Sequence, residues 1–277
     1  MSGTAYAIAS MAFFGLVDFA LKRASDMGVK PHHSIMVQGW TFSTSMMTYA
    51  LLTGTLVPVP AALWGSAAGL FMLIGYTAFV RSLTGEPVSI QAPVFRLNFI
   101  VTVVIAIVWL GEALTLYKIL ALAFALAAVW LLLGGARVPI TRRALIYVLI
   151  ATVSVGLGNI LHKVGLQQGV VPETMAVAQA AVFVTLATLQ TFWLEGRIAP
   201  PKAAFRFPPV AALLLVGAFV CLLNGLSKGE ASVLVPISQM GFIITAALGV
   251  AVLGERLTAR KLIGLLAAFA ALAVFAL

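Results

Sequence analysis

The feature that most constrains this chain is a succession of ten apolar runs, each about as long as a lipid bilayer is thick. They cover residues 4–22, 33–55, 61–83, 88–110, 117–136, 144–165, 173–194, 208–228, 232–253 and 259–277. At about 1.5 Å of rise per residue, roughly 20 helical residues cross the hydrocarbon layer. Lipid tails offer no hydrogen-bond partner, so each run must satisfy its own backbone groups, and a helix does this within one segment. The runs lack the polar–apolar alternation of barrel strands. The connections are short, and only 195–207 exceeds ten residues, which leaves no room for a soluble domain between spans. Composition agrees: 62% of residues are hydrophobic, 9% are charged and the mean hydropathy is +1.11. Soluble domains sit near one half and one quarter. The expected class is an all-α, multi-pass protein of the cytoplasmic (inner) membrane.

The net charge of +9 does not point to nucleic acid. Basic residues come in ones to threes between apolar runs, never as one patch with interleaved aromatics. Cys221 is the single cysteine, which excludes an internal disulfide and a thiolate cluster. Neither a metal centre nor a cofactor is expected. No basic segment precedes the first apolar run, so it reads as a span that stays rather than a cleaved signal peptide.

The chain writes one turn twice. GEALTLYK begins at Gly111 and GERLTARK at Gly254, with Gly, Glu, Leu, Thr and Lys in register. The match extends well beyond the turn. At an offset of 141, Gly15, Leu16, Lys22, Gly28, Val29 and Pro31 recur as Gly156, Leu157, Lys163, Gly169, Val170 and Pro172. Asp18 falls on Asn159 and Gln38 on Gln179. At an offset of 143, Ser89, Pro93, Phe99, Ile100 and Thr102 recur as Ser232, Pro236, Phe242, Ile243 and Thr245, and Arg96 falls on Gln239. Residues 1–137 and 138–277 thus read as two five-helix units. Five is odd, so the second unit enters the membrane upside down, and the expected architecture is ten transmembrane helices as two inverted five-helix repeats. Secondary transporters built this way carry the substrate near the midplane, between the repeats.

These residues resemble the ten-helix EamA branch of the drug/metabolite transporter superfamily. The resemblance rests on the Gly-Glu-x-Leu-Thr turn at both repeat ends, on Pro93 and Pro236 within the preceding span, and on the Gly and Lys of each repeat's first helix. It covers nearly the whole chain. It implies a transporter of small metabolites without specifying which one, and both termini in the cytoplasm. The positive-inside rule points the other way. Thirteen of the 17 Lys and Arg flank the connections after odd-numbered spans, against Lys118, Lys163 and Lys228 on the opposite side, which puts both termini outside.

Few polar residues fall inside spans, and those that do are the candidates for chemistry. A charge there is costly unless it pairs or faces water. Asp18 in the first span is a candidate for proton coupling or for a substrate amine, or it neutralises Lys22 or Arg96. Arg96 in the fourth span fits a substrate carboxylate or phosphate, or a structural pair with Asp18. Asn159 and His162 in the sixth span are candidates too, His162 as a group that titrates near neutral pH or as a satisfied packing residue. Gln38, Gln179, Gln239, Asn224 and Asn98 either glue helices or touch substrate, and Trp40, Tyr76 and Phe95 pack or line a site. Pro93 and Pro236 each free a carbonyl, which exposes backbone to a cavity or kinks a helix. Lys163 is expected to snorkel to the interface. Glu112 and Glu255 are expected to sit at the positive end of the helix each one begins, with Thr115 or Thr258 as caps.

The function expected is a secondary active transporter, of the exporting kind, for a small polar or amphipathic metabolite, working by alternating access as a monomer or homodimer. Proton coupling would run through Asp18. No G-x-x-x-x-G-K-[ST] motif is present, so ATP does not drive transport within this chain. Lipid or lipid-linked sugar flipping is an alternative. A non-transporting membrane subunit and a membrane-embedded enzyme are others, but no H-E-x-x-H, paired intramembrane Asp or Ser/His/Asp set favours an enzyme.

Overall fold

The structure is a computed structural model that describes residues 1–82, 95–132, 141–253 and 258–275. Its helices are α1 (Gly3–Asp26), α2 (Pro31–Leu52), α3 (Leu63–Ser82), α4 (Asn98–Leu110), α5 (Leu116–Leu132), α6 (Arg142–Gln167), α7 (Pro172–Glu195), α8 (Pro208–Leu226), α9 (Ala231–Gln239), α10 (Phe242–Leu253) and α11 (Ala259–Phe275). Short 3₁₀ turns at Pro60–Ala62 and Lys202–Phe205 lead into α3 and α8. No strand occurs among the described residues. Pro93, Arg137, the 137/138 boundary, and Gly254 with Glu255 lie outside them.

Local chemistry places the helix ends. Pro31, Pro172 and Pro208 stand at first-turn positions, where a missing N–H costs nothing. The Thr141 hydroxyl accepts from the Ala144 N–H to cap α6. α4 ends at Gly111 and α7 at Gly196, both left-handed at φ +69°. Five segments, within or around α1, α3, α6, α7 and α8, are long and apolar enough to cross a bilayer by length and composition alone. α4, α5, the α9–α10 segment and α11 are shorter apolar helices. Fully buried Met36, Ile160, Met175, Leu222 and Met240 form the interior, while Val108, Trp130 and Trp193 are largely exposed, as lipid-facing side chains are.

The expected ninth span is not one helix. It breaks at Met240–Gly241 into α9 and α10. Pro236 sits inside α9, but the chain gives way one turn later, where three-residue turns replace the helical ladder: Ile243 N–H donates to Met240 O and Ile244 N–H to Gly241 O, both at 3.0 Å. The fourth span turns at the matching place. Residues 95–96 are helical, Leu97 is a turn, and Ile100 N–H donates to Leu97 O at 2.9 Å.

Helices of one half pack mainly across to the other. α1 lies against α8, α9 and α10, and α3 against α6 and α7. α2 meets α7 and α8, α4 meets α6 and α9, and α5 meets α11. Among the described residues, exchanging the halves carries α1–α8 onto α6–α3, α1–α10 onto α6–α4 and α2–α8 onto α7–α3. The agreement extends to single atoms. Thr245 donates to Gly15 O at 3.0 Å, and its counterpart Thr102 donates to Gly156 O at 3.3 Å. A Cβ on Gly15 would lie 2.5 Å from Gly241 O and Ile244 Cβ, and one on Gly156 would lie 2.6 Å from Val101 Cβ and 2.9 Å from Asn98 O. Only glycine allows the helices to cross this closely, and only then can the threonine reach the carbonyl beyond it. Arg260, at the start of α11, donates to Trp130 O near the end of α5, so these partners run antiparallel.

Candidate functional site

Asp18 and Arg96 meet. The Arg96 guanidinium donates through Nη2 to Asp18 Oδ2. Their side chains are 31% and 19% exposed, so neither charge is sealed away. Arg96 stands in the short helical stretch just before the Leu97 turn, which brings it beside α1. Tyr76 on α3 packs near Phe95, the residue that precedes Arg96. Its ring lies 6.1 Å from Phe95 and 6.4 Å edge-on from Phe183, and Phe95 stacks on Phe79 at 4.3 Å. One acid, one base and an aromatic wall thus converge from α1, α3, α7 and the approach to α4.

A second polar group is deeper. His162 on α6 is completely buried and neither ring nitrogen has a hydrogen-bond partner. Gln179 on α7 stands beside it with its Oε1 unpartnered, close to the ring but outside normal hydrogen-bond geometry. Phe219 of α8 lies edge-on to His162 at 5.9 Å and also packs against Phe42 and Phe14. Phe14 is one turn before Asp18 on α1, so aromatic rings join the ion pair to the His162–Gln179 pair. A buried unpaired imidazole and amide are costly in an apolar interior.

Other candidates lie apart from this line. Asn159 is buried and donates to Thr102 at 3.3 Å, tying α6 to α4, and Asn98 Oδ1 is buried and unpartnered. Trp40 donates to Thr188 at 2.9 Å and joins α2 to α7. Asn224 gives its amide to Val220 of its own helix. Gln38 on α2 and Gln239 at the end of α9 are half-buried.

Two expectations need correction. Lys163 does not snorkel: it is 8% exposed, and its ammonium donates to Leu226 O and Gly229 O, both at 2.7 Å. It satisfies the Leu226 carbonyl at the end of α8 and the Gly229 carbonyl in the turn that follows. Glu112 does not serve the helix that follows it. Its carboxylate accepts from Ala231 N–H and Ser232 N–H, both at 2.8 Å, at the start of α9. Glu230, the residue at the cap position of α9, pairs instead with Lys118 at 2.6 Å. Thr115 does act as expected, accepting from Lys118 N–H.

One polar cluster was not anticipated. His32 Nε2 and His33 Nε2, in the first turn of α2, each lie 3.0 Å from the Glu195 carboxylate at the end of α7. Lys30 donates to the same carboxylate at 2.8 Å. Among the described residues this is the group of His, Cys, Asp and Glu side chains close enough to hold a metal ion. The adjacent histidines were visible in the sequence, but their acidic partner is more than 160 residues away and no spacing rule connects them.

Residues 1–134 and 142–277 each match the EamA-like transporter family. Uncharacterized protein MJ1333.1 of Methanocaldococcus jannaschii is 28% identical over 122 residues, 44% of this chain and 88% of that protein. A relative covered twice as completely is half as long, about the size of one repeat. A solved crystal structure superposes with a TM-score of 0.79 at 19% identity, over 98% of this chain and 95% of the other, so the fold is shared. The chain belongs to the EamA-like transporter family, whose members are multi-pass membrane transporters of the drug/metabolite type.

Proposed function

We propose that this chain is a secondary transporter whose two halves are inverted repeats, and that it exports a small polar or amphipathic metabolite by alternating access across the cytoplasmic membrane. The observation that carries this reading is the difference between two matching crossings. Around the Thr245–Gly15 bond, Asp18 and Arg96 remain partly exposed. Around the Thr102–Gly156 bond, Asn159 is 1% exposed, and the same end of the bundle is fastened by Glu112, Lys118 and Lys163. A partly exposed Asp18 matched by a buried counterpart, Asn159, fits alternating access, in which the two crossings exchange states. By the charge rule the Asp18 end is cytoplasmic, the side from which an exporter loads.

Within the site, Arg96 suits a substrate carboxylate or phosphate, and Asp18 suits an amine or a proton. The aromatic wall and the His162–Gln179 pair accept the remainder of the molecule. The test has two stages. Thermal stabilisation of the purified protein across a metabolite panel identifies a ligand. Flux of that ligand is then measured in proteoliposomes with and without a pH gradient. Asp18→Asn is expected to abolish the dependence on the pH gradient, and Arg96→Gln to weaken ligand stabilisation. Both variants behaving as wild type with a confirmed ligand would remove the pair from the pathway.

A further inference from the structure

The geometry points to a transition-metal site where the start of α2 meets the end of α7, with His32, His33 and Glu195 as ligands for a divalent ion of the Zn²⁺, Co²⁺ or Ni²⁺ kind. It is independent of the transport reading. Two imidazole nitrogens and a carboxylate favour these metals, whereas Mg²⁺ and Ca²⁺ take oxygen sets. Metal–ligand bonds of about 2.0–2.2 Å place donor atoms roughly 3.3 Å apart around one ion. Both Nε2 atoms are already 3.0 Å from a Glu195 oxygen, and all the donor atoms lie within 4.8 Å of one another. Small rotations of the two rings, which are tilted 59° to each other with centroids 4.5 Å apart, close the remaining gap.

The surroundings suit an ion that enters from solution. Side-chain exposure is 20% for His32, 5% for His33 and 16% for Glu195, so the ligands are held in place yet reachable. Lys30, the cation now on Glu195, is 64% exposed on a flexible stem and is free to withdraw. The backbone on either side is well defined: Pro31 begins α2, and Gly196 at φ +69° ends α7 directly after the glutamate. The ligands come from both halves of the chain. A bound ion therefore staples α2 to α7 at the basic end, and it opposes any motion that parts the halves there.

The experiment uses the full chain in detergent with any affinity tag removed. Co²⁺ titration of the wild type is expected to give visible d–d absorption saturating at one ion per chain, and Zn²⁺ is expected to displace it. Glu195→Gln and His32→Asn each weaken binding at least tenfold, whereas Lys30→Ala does not. His33 is buried and its removal risks misfolding, so a variant-free measurement accompanies these: Zn²⁺ is expected to protect His32 of the wild type from diethylpyrocarbonate. Absence of Co²⁺ bands, unprotected His32, or variants that bind as tightly as wild type each overturn the assignment and leave the cluster a hydrogen-bonded latch.

Discussion

Gly15→Ala tests the crossing on which the site depends. The added Cβ would fall 2.5 Å from Gly241 O and Ile244 Cβ, both held by backbone geometry rather than at the end of a flexible side chain. Carbon atoms prefer about 3.5–4.0 Å, so α1 and the α9–α10 segment must separate by roughly 1 Å. That shift stretches the 3.0 Å Thr245–Gly15 bond beyond hydrogen-bond range. Overpacking costs about 1–3 kcal/mol. The lost interhelical bond adds about 0.6 kcal/mol, and up to roughly 1.7. Replacing glycine in a helix interior returns up to about 1 kcal/mol. The net expectation is a loss of about 1–4 kcal/mol. Gly39→Ala is the matched control. Its Cβ would meet Phe183 Cδ1 at 3.5 Å, an ordinary contact, so only the gain of up to about 1 kcal/mol remains. Unfolding in mixed micelles titrated with dodecyl sulfate measures both. Gly15→Ala at least as stable as wild type would refute the reasoning, as would a loss at Gly39→Ala equal to that at Gly15→Ala.

Two further outcomes follow from the bonds on either side of the turn between α8 and α9. Glu112→Ala strands the Ala231 and Ser232 N–H groups and is expected to cost about 2–4 kcal/mol in the same unfolding assay, with Glu112→Gln recovering part of it. Lys163→Met removes the donor from two carbonyls; it is expected to cost about 1–3 kcal/mol and to speed hydrogen exchange at the end of α8.

Much of the fold was readable in the sequence because its causes are local or repeated. Run length and hydropathy find the spans, and the 141 and 143 offsets find the equivalence that Thr102 and Thr245 make visible as two matching bonds. The Asp18–Arg96 contact was readable as one of two pairings, with Lys22 the other, because a charge within an apolar span needs a partner. What escaped depends on distant approaches. Pro236 marks where the ninth span loses a carbonyl partner, but where the helix gives way depends on the close passage of Gly15 beside Gly241, which no local window contains. Lys163 is near the end of an apolar run, where snorkelling is the natural expectation. Only the fold supplies the end of α8 as a better partner. Likewise nothing near His32 and His33 announces Glu195.

The Glu112 clamp bears on how the molecule comes into being. Its two acceptor bonds reach 119 and 120 residues ahead, to amides not yet synthesised when the first five spans have entered the bilayer. Until α9 arrives, that carboxylate waits without its partners, so the amino-terminal portion reaches its mature arrangement only after most of the rest has been translated. Ribosome order and final assembly are thereby decoupled. Separately expressed portions carrying the complementary ends should find each other in the membrane and complete the clamp in trans.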